Sequence, residues 1–198
     1  MGRRLTNTSA SEGTMHEVSL GYTIRDYLSG REVEATTFED LRQAIARLLV
    51  EEKGYPRGQI RSKVPIAFDV EGRPFQDEID LVVFDQGAEL PLLLVCFCFG
   101  DVLTFHRQTL AAARILPQGP ARLVLVTDTK KADLLCVGSG EILRSSGYHS
   151  IPAWRELGAL VKECPAYEQT EDRLSRERRI YYAFSEMAGC CGPECPLD

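Results

Sequence analysis

The sequence lacks several features that mark common classes of protein. No apolar run approaches the ~18 residues of a membrane-spanning helix, and the longest, Leu90 to Gly100, has only the length of a strand. The first residues include two arginines but no apolar stretch after them, so we expect no secretory signal. These absences predict a soluble, cytoplasmic protein with no membrane partner.

Basic charge is also scarce. The 198 residues include 23 lysines and arginines against 29 acidic residues, which gives a formal net charge of −6. Free-standing proteins that bind duplex DNA are usually basic, because neutralising phosphates supplies much of their affinity. The charge balance therefore argues against a protein that binds DNA over its whole surface and leaves only local basic patches for that purpose.

Several catalytic and structural motifs are missing. The run Gly138-Ser-Gly140 is too short for a phosphate loop and lacks the Lys-Ser/Thr ending. His16, His106 and His149 show no metal-ligand spacing, and no serine or cysteine lies in a nucleophile elbow. Seven cysteines, an odd number with three crowded into the last nine residues, do not form an extracellular disulfide framework.

Apolar periodicity predicts an α/β domain. Strands that run together before a crossover helix and another strand predict a mixed central β-sheet flanked by helices. The predicted elements are a helix over about Phe38 to Lys53; strands at Ile60 to Val70, Asp77 to Asp85 and Pro91 to Phe99; a helix at Phe105 to Leu116; a strand at Arg122 to Thr127; a hairpin of Leu134 to Val137 and Glu141 to Leu143; and helices at Ile151 to Glu163 and Glu171 to Met187.

The organisation of the chain follows from these elements. Residues 1–18 are predicted to be a disordered tail, 19–165 the α/β domain, and 166–198 a C-terminal helix with a cysteine-rich tail. The stretch from Glu17 to Leu28 is compatible with a short helix or a strand that ends at Ser29-Gly30, where glycine suits a left-handed conformation.

Several short motifs together resemble a known family. They are the run Glu39-Asp40-Leu-Arg42-Gln43, the helix end at Gly54-Tyr55-Pro56, the run Ile79-Asp80-Leu-Val-Val and, after one more strand, Gln108. Over roughly residues 19–145 the chain resembles the N-terminal domain of type I restriction enzyme R subunits, in a small stand-alone form. The resemblance implies the PD-(D/E)XK nuclease fold, which is restriction-endonuclease-like, and a link to restriction-modification systems.

The resemblance also implies a site for metal-dependent phosphodiester hydrolysis. A divalent metal stabilises phosphate charge and activates water, and Mg²⁺ prefers carboxylate oxygens. The family pattern matches Glu39 on the helix, Asp80 on a strand and Gln108 on the following helix. It also expects Glu-x-Lys on the next strand, where this chain has Cys96 and Cys98. Thiols offer neither hard oxygen ligands nor a fixed positive charge, so we expect a degenerate site, that of a pseudoenzyme.

Each of these residues also has a structural interpretation. Glu39 completes a possible capping box with Thr36 at the start of the helix. Asp80 fits an edge position less well than a remnant site, because an unpaired buried carboxylate is costly. Gln108 is also explained as a surface residue of an amphipathic helix. Cys96 and Cys98 are explained by burial as small apolar side chains.

The terminal cysteines form a separate candidate site. Cys190, Cys191 and Cys195 are close enough in sequence to share Zn²⁺, but a structural zinc site needs four ligands. Cys164 or a second chain would have to supply the fourth. Incidental thiols, or a redox or intermolecular disulfide, are the alternatives.

Three functions are compatible with these observations. The first is a catalytically inactive nuclease-fold module that binds nucleic acid, such as DNA, or a protein partner. The second is an active metal-dependent endonuclease that uses Asp80 and Glu39 with Mg²⁺. The third is a structural or oligomerisation protein with a metal or redox site at its C-terminal cysteines. The replacement of Glu-x-Lys by Cys96 and Cys98 favours the first.

Overall fold

Apolar stripes and alternating runs along the chain produce the elements of an α/β fold. The computed structural model describes residues 18–87, 89–98 and 100–189. The strands in it are β1 (Ser19–Arg25), β2 (Glu32–Thr36), β3 (Ile60–Val70), β4 (Arg73–Phe84), β5 (Pro91–Phe97), β6 (Leu123–Thr127), β7 (Ala132–Cys136) and β8 (Ile142–Ser145). The α-helices are α1 (Glu39–Arg47), α2 (Val102–Arg114), α3 (Trp154–Glu163) and α4 (Glu171–Gly189), and α1 continues as a π-helical turn, Leu48–Glu52.

Six strands form one mixed sheet in the order β3-β4-β5-β6-β7-β8. Only β5 and β6 pair in parallel, and α2 is the crossover between them; the other neighbours are antiparallel. The central strands are apolar on both faces because helices cover both sides of the sheet. One face packs against α2 and α4, and the other against α1 and α3. The predicted mixed sheet flanked by helices is confirmed.

The hairpin of β3 and β4 is the longest antiparallel pair. Its two-residue turn, Glu71-Gly72, has φ values of 54° and 82°, as a type I′ turn requires at both central positions. The register runs without a shift from Val70 opposite Arg73 to Ile60 opposite Val83. A tight turn that fixes the register over such a length determines which residues of the two strands face each other.

Two predicted segments differ from the structure. The stretch for which helix and strand were both open forms β1, which pairs with β2 in a separate two-stranded sheet. The sequence analysis missed β2 because this strand, Glu-Val-Glu-Ala-Thr, is short and carries little apolar signal. The helix predicted from Phe105 begins earlier, at Val102. The predicted disordered tail, apart from Val18, lies outside the described residues.

The C-terminal helix packs against the rest of the molecule. Glu177 of α4 is buried and accepts hydrogen bonds from Arg107 at 2.6 Å and from Arg114 at 2.9 Å, both on α2. Tyr181 is part of the apolar core on that face of the sheet. The predicted division into a domain at 19–165 and an extension at 166–198 stays a prediction.

Within residues 18–87, 89–98 and 100–189, no helix is both long and apolar enough to cross a membrane.

Gly138 offers a test of this packing. A Cβ atom added there would lie 2.1 Å from the carbonyl oxygen of Pro165, so Gly138→Ala should destabilise the protein by about 1–3 kcal/mol through overpacking. The melting temperature should fall by several degrees, since each kcal/mol corresponds to roughly 2–4 °C for a chain of this size. Gly58→Ala is the control, because no atom lies within 4 Å of its added Cβ. Equal melting temperatures for the two variants would contradict the packing.

Candidate functional site

Three polar side chains of α1 form the centre of a buried cluster. Glu39, Arg42 and Gln43 are three and four residues apart and so lie on one face of the helix, and all are buried. The Arg42 guanidinium donates one hydrogen bond to Glu39 Oε2 and another to Asp80 Oδ1 on β4, at 3.1 Å. The guanidinium therefore bridges the helix carboxylate and the strand carboxylate.

Gln43 extends this cluster towards the turn after β1. Its amide nitrogen donates to Glu39 Oε1 at 2.7 Å and to Asp26 Oδ1 at 2.8 Å, and its oxygen accepts from the Tyr27 N–H at 2.6 Å. Burial tends to raise the pKa of Asp26, but hydrogen bonds from Ser29 and Gln43 outweigh it, and the pKa is lowered. The amide thus connects the two-stranded sheet to the buried carboxylates.

Glu39 begins the helix and also belongs to this cluster. Its backbone N–H donates to Thr36 Oγ1 at 3.0 Å, as in a capping box. Its carboxylate is 1% exposed and is bound by Arg42 and Gln43. Capping alone does not account for a carboxylate buried against three polar side chains, which include the Lys63 ammonium. The structure therefore brings Glu39 and Asp80 together, as the resemblance implies.

A lysine that the sequence analysis did not single out completes the cluster. Lys63 of β3 lies between Ser62, which pairs with Leu81, and Val64, which pairs with Ile79, and so it faces Asp80. Its Nζ is 3.3 Å from Glu39 Oε2. Its φ of 50° is in the left-handed region, a conformation that costs a non-glycine residue roughly 1–3 kcal/mol.

Cys96 lies on β5 and Cys98 just after it, at the positions where the resemblance leads us to expect glutamate and lysine. Cys98 is buried in the apolar core between the sheet and α2, and Cys96 packs against that core. Burial raises the pKa of Cys98 to about 12, and the nearby Asp128 adds to the effect. Burial, and secondarily the charge of Asp80, raises the pKa of Cys96. Both thiols are therefore protonated near neutral pH.

The residues present do not fit a Mg²⁺ ion. Both oxygens of Glu39 accept hydrogen bonds, from Gln43 and Arg42. Both oxygens of Asp80 also do, from Arg42 and from the Phe97 N–H at 3.2 Å. Mg²⁺ needs carboxylate oxygens in near-octahedral geometry. Among the residues that the structure describes, no group of three or more His, Cys, Asp and Glu side chains could hold a metal ion.

Gln108, the third residue implied by the resemblance, is not brought to the cluster. It is half-buried on α2, and no hydrogen bond in the described part of the chain joins it to Glu39 or Asp80. The next residue, Thr109, is buried and lies beside the Cys96 thiol. One residue is about 100° of helix rotation, which turns Gln108 away. Gln43 on α1 is the glutamine of this cluster.

An aromatic residue of α4 lies next to the cluster. The Tyr181 hydroxyl donates to Asp77 Oδ2 at 2.7 Å, and burial raises the pKa of Asp77 despite this hydrogen bond. The Tyr181 ring packs edge-on against Phe68 and Phe75 of the β3–β4 hairpin. Burial, together with the charge of Asp77, also raises the pKa of Tyr181. Tyr181 lies about two turns before the end of α4. This part of the helix therefore covers the sheet beside Asp80.

The candidate zinc site comprises three terminal cysteines and Cys164. Cys190, Cys191 and Cys195 lie outside the described residues. Cys164, the proposed fourth ligand, is buried at the end of α3, and its thiol lies beside that of Cys136 of β7. Burial raises the pKa of Cys164 to about 12. Cys164 therefore has a partner within the fold.

The sequence contains signals for three of the residues whose roles the sequence analysis did not assign. Arg42 and Gln43 follow Glu39 at helical spacing, which places them on the face of the helix acid. Lys63 follows from the hairpin, because a two-residue turn at Glu71-Gly72 sets Lys63 opposite Asp80. The contact between Tyr181 and Asp77 spans 104 residues, and no local pattern indicates it.

Arg42 should contribute strongly to stability. Arg42→Met leaves two carboxylates without their shared cation, and breaking a buried ion pair costs about 3–5 kcal/mol. Arg176→Met is the control, because Arg176 and its partner Asp172 are exposed on α4 and such pairs are worth about 0–1 kcal/mol. Urea denaturation measures both. In a double-mutant cycle, Glu39→Gln should cost less in the Arg42→Met background than alone. Equal losses for the two arginine variants would contradict this interpretation.

Cys96 and Cys98 should be unreactive in the folded protein. The thiolate is the nucleophile, and raised pKa values keep both thiols protonated at pH 8. We expect no labelling of either residue by iodoacetamide at pH 8, as read by peptide mass spectrometry, and full labelling of both after denaturation. Rapid labelling of Cys98 in the native protein would show that it is not buried.

One comparison with known proteins, that with protein families, gives a match. No match was found among curated protein sequences or among solved structures. Residues 38–152 match the family described as the type I restriction enzyme R protein N terminus. The match runs from the start of α1 to the segment before α3, so it includes Glu39, Lys63 and Asp80 and covers more than half of the chain. The chain therefore belongs to the family of the type I restriction enzyme R protein N terminus.

Proposed function

We propose that this chain is a catalytically inactive, nuclease-fold module that binds DNA, related to restriction-modification systems. The observation that carries the proposal is the position of the Arg42 guanidinium, which bridges Glu39 and Asp80. In a metal-dependent nuclease of this fold, the carboxylates of helix and strand would instead be free to bind the metal.

An arginine supplies positive charge, as a metal ion does, but it cannot activate a bound water. Both can compensate buried carboxylates, but a metal also lowers the pKa of a bound water and so generates the nucleophile. A guanidinium has a pKa above 12, offers only donors and coordinates no water in this way. With Arg42 and Lys63 in place, the two carboxylates are compensated and hydrogen bonded, and no activated water is produced.

The thiols of Cys96 and Cys98, on β5 and just after it, support the same proposal. The thiol of Cys96 is protonated, so it supplies no carboxylate for a metal. The thiol of Cys98 is buried among apolar side chains and cannot replace a lysine that stabilises a transition state. Three elements of the catalytic apparatus are therefore missing together: the second carboxylate, the lysine on its strand and an open metal position.

Family membership supports DNA as the ligand, since the R protein belongs to a restriction enzyme. The net charge of −6 indicates that few phosphates are contacted. The affinity should therefore be modest, and it should depend on salt with a small slope, because the slope scales with the number of phosphates neutralised. A cytoplasmic location, predicted from the sequence, is part of the same proposal.

Cleavage and binding assays on single- and double-stranded DNA test the proposal. In Mg²⁺ or Mn²⁺ we expect no cleavage by the natural protein above that of Asp80→Asn, a variant that keeps the shape of the side chain. In fluorescence anisotropy we expect binding that weakens with salt and persists in EDTA, since the buried cation is an arginine.

Two outcomes would contradict the proposal in different ways. Metal-dependent cleavage that disappears in Asp80→Asn, with an unchanged melting temperature, would restore the active endonuclease. Absence of binding to either form of DNA would remove DNA as the ligand and leave a protein partner as the alternative.

A further inference from the structure

We propose that Lys63 is the residue of this cluster that contacts a backbone phosphate, so that the module holds nucleic acid at its former cleavage site without a metal. This inference rests on the proposed function and names the ligand group and the residue that binds it.

Accessibility selects Lys63 among the charged side chains of the cluster. Its side chain is 34% exposed, against 21% for Asp80, 5% for Arg42 and 1% for Glu39. Arg42 is enclosed and already bridges two carboxylates. A phosphate that approaches the cluster therefore meets the Lys63 ammonium, a point charge with three donors, of which Glu39 can take one.

Electrostatics also permits an anion at this position. Asp80 is the acid closest to solvent in the bridged pair, but Arg42 compensates its charge at 3.1 Å. Glu39 is bound by Arg42 as well as by Lys63. Arg42 and Lys63 together balance the charges of Glu39 and Asp80, so the repulsion between these carboxylates and a phosphate is reduced, and the exposed ammonium group is the donor that a phosphate reaches first.

The backbone at Lys63 is the second observation. In a regular strand, residues two apart share a face. Leu81, the partner of Ser62, and Ile79, the partner of Val64, should therefore pack in the same core. Instead Leu81 packs in the core on the side of α1 and α3, whereas Ile79 and Val64 pack on the side of α2 and α4. The strand pair changes faces at Lys63, where φ is 50°.

Glycine would make this change of face at lower cost, because it has no Cβ penalty at positive φ. The chain carries lysine there in spite of the strain. Strained non-glycine residues cluster at functional sites, and the result of the strain here is an ammonium group directed to the Glu39–Asp80 pair. The contact made by the ammonium group, and not the backbone conformation, therefore explains why this position carries lysine.

Lys63→Gly tests the inference without a loss of fold, since glycine tolerates the observed φ. We expect a folded protein with a cooperative melting transition, because relief of the backbone strain offsets the lost contact with Glu39, and DNA binding weaker on the order of tenfold, as for one lost charged hydrogen bond. The slope of log K against log salt should fall by about 1. Both effects should be equal in EDTA and in Mg²⁺.

Lys162→Gln is the matched control, because Lys162 is exposed on α3 and the change removes the same charge. Its affinity should stay within about twofold of that of the natural protein. Lys63→Gln, which keeps a polar side chain but removes the charge, should lose binding as Lys63→Gly does.

The outcomes separate this inference from the proposed function. If the natural protein binds DNA and Lys63→Gly binds equally well, the phosphate contact lies elsewhere and only the inference is wrong. If binding by the natural protein requires Mg²⁺, a metal-free phosphate site is wrong. If the natural protein does not bind DNA at all, the proposed function is wrong and the inference with it.

Discussion

The buried ion pairs of Arg42 hold the candidate site in its observed form. Two carboxylates, one on α1 and one on β4, could not be buried this close without a cation, because desolvating each charge costs several kcal/mol. The guanidinium fits because its planar fork presents separate N–H groups to Glu39 and Asp80. The same contacts fix α1 against the sheet, so the geometry of the site and the docking of the helix depend on one side chain.

Around this pair, the proposed function implies a site that keeps the two carboxylates of a nuclease and changes their chemistry. Glu39 of the helix and Asp80 of the strand come together, as the family resemblance implies. Each of their four carboxylate oxygens accepts a hydrogen bond from a donor of the protein. The resemblance expects a carboxylate and a lysine where Cys96, on β5, and Cys98, just after β5, carry protonated thiols. In the proposed function such a site makes fixed electrostatic contacts and does not activate water, which requires a ligand that can bind and deprotonate it.

The lysine of the cluster comes from a different strand than the family pattern expects. Position 98 is a buried cysteine, whereas Lys63 on β3 reaches Glu39 from the other side of Asp80. Positive charge therefore lies beside the carboxylates although position 98 carries no lysine. Lys63 also has a role in the fold. The β3–β4 hairpin changes the face that it presents to each core at this residue, and it thereby contributes side chains to both apolar cores.

The sequence by itself determined the elements and the family. Apolar periodicity predicts α1, the β3–β4 hairpin, the central strands and α4, because these segments carry strong and regular patterns. Helical spacing would also place Arg42 and Gln43 beside Glu39, and the two-residue turn would place Lys63 opposite Asp80. The weakly patterned β2 escaped prediction, since a short exposed strand has little apolar alternation.

Only the tertiary structure decided which of these residues meet. The distance between α1 and β4 puts the Arg42 guanidinium on Asp80, 38 residues away in sequence. The rotation of α2 against the sheet presents Thr109 and not Gln108 to Cys96. The packing of α3 brings Cys164 to Cys136, and that of α4 brings Tyr181 to Asp77. These contacts depend on how packed elements are oriented, which local sequence patterns do not encode, and the left-handed backbone of Lys63 follows from the same packing.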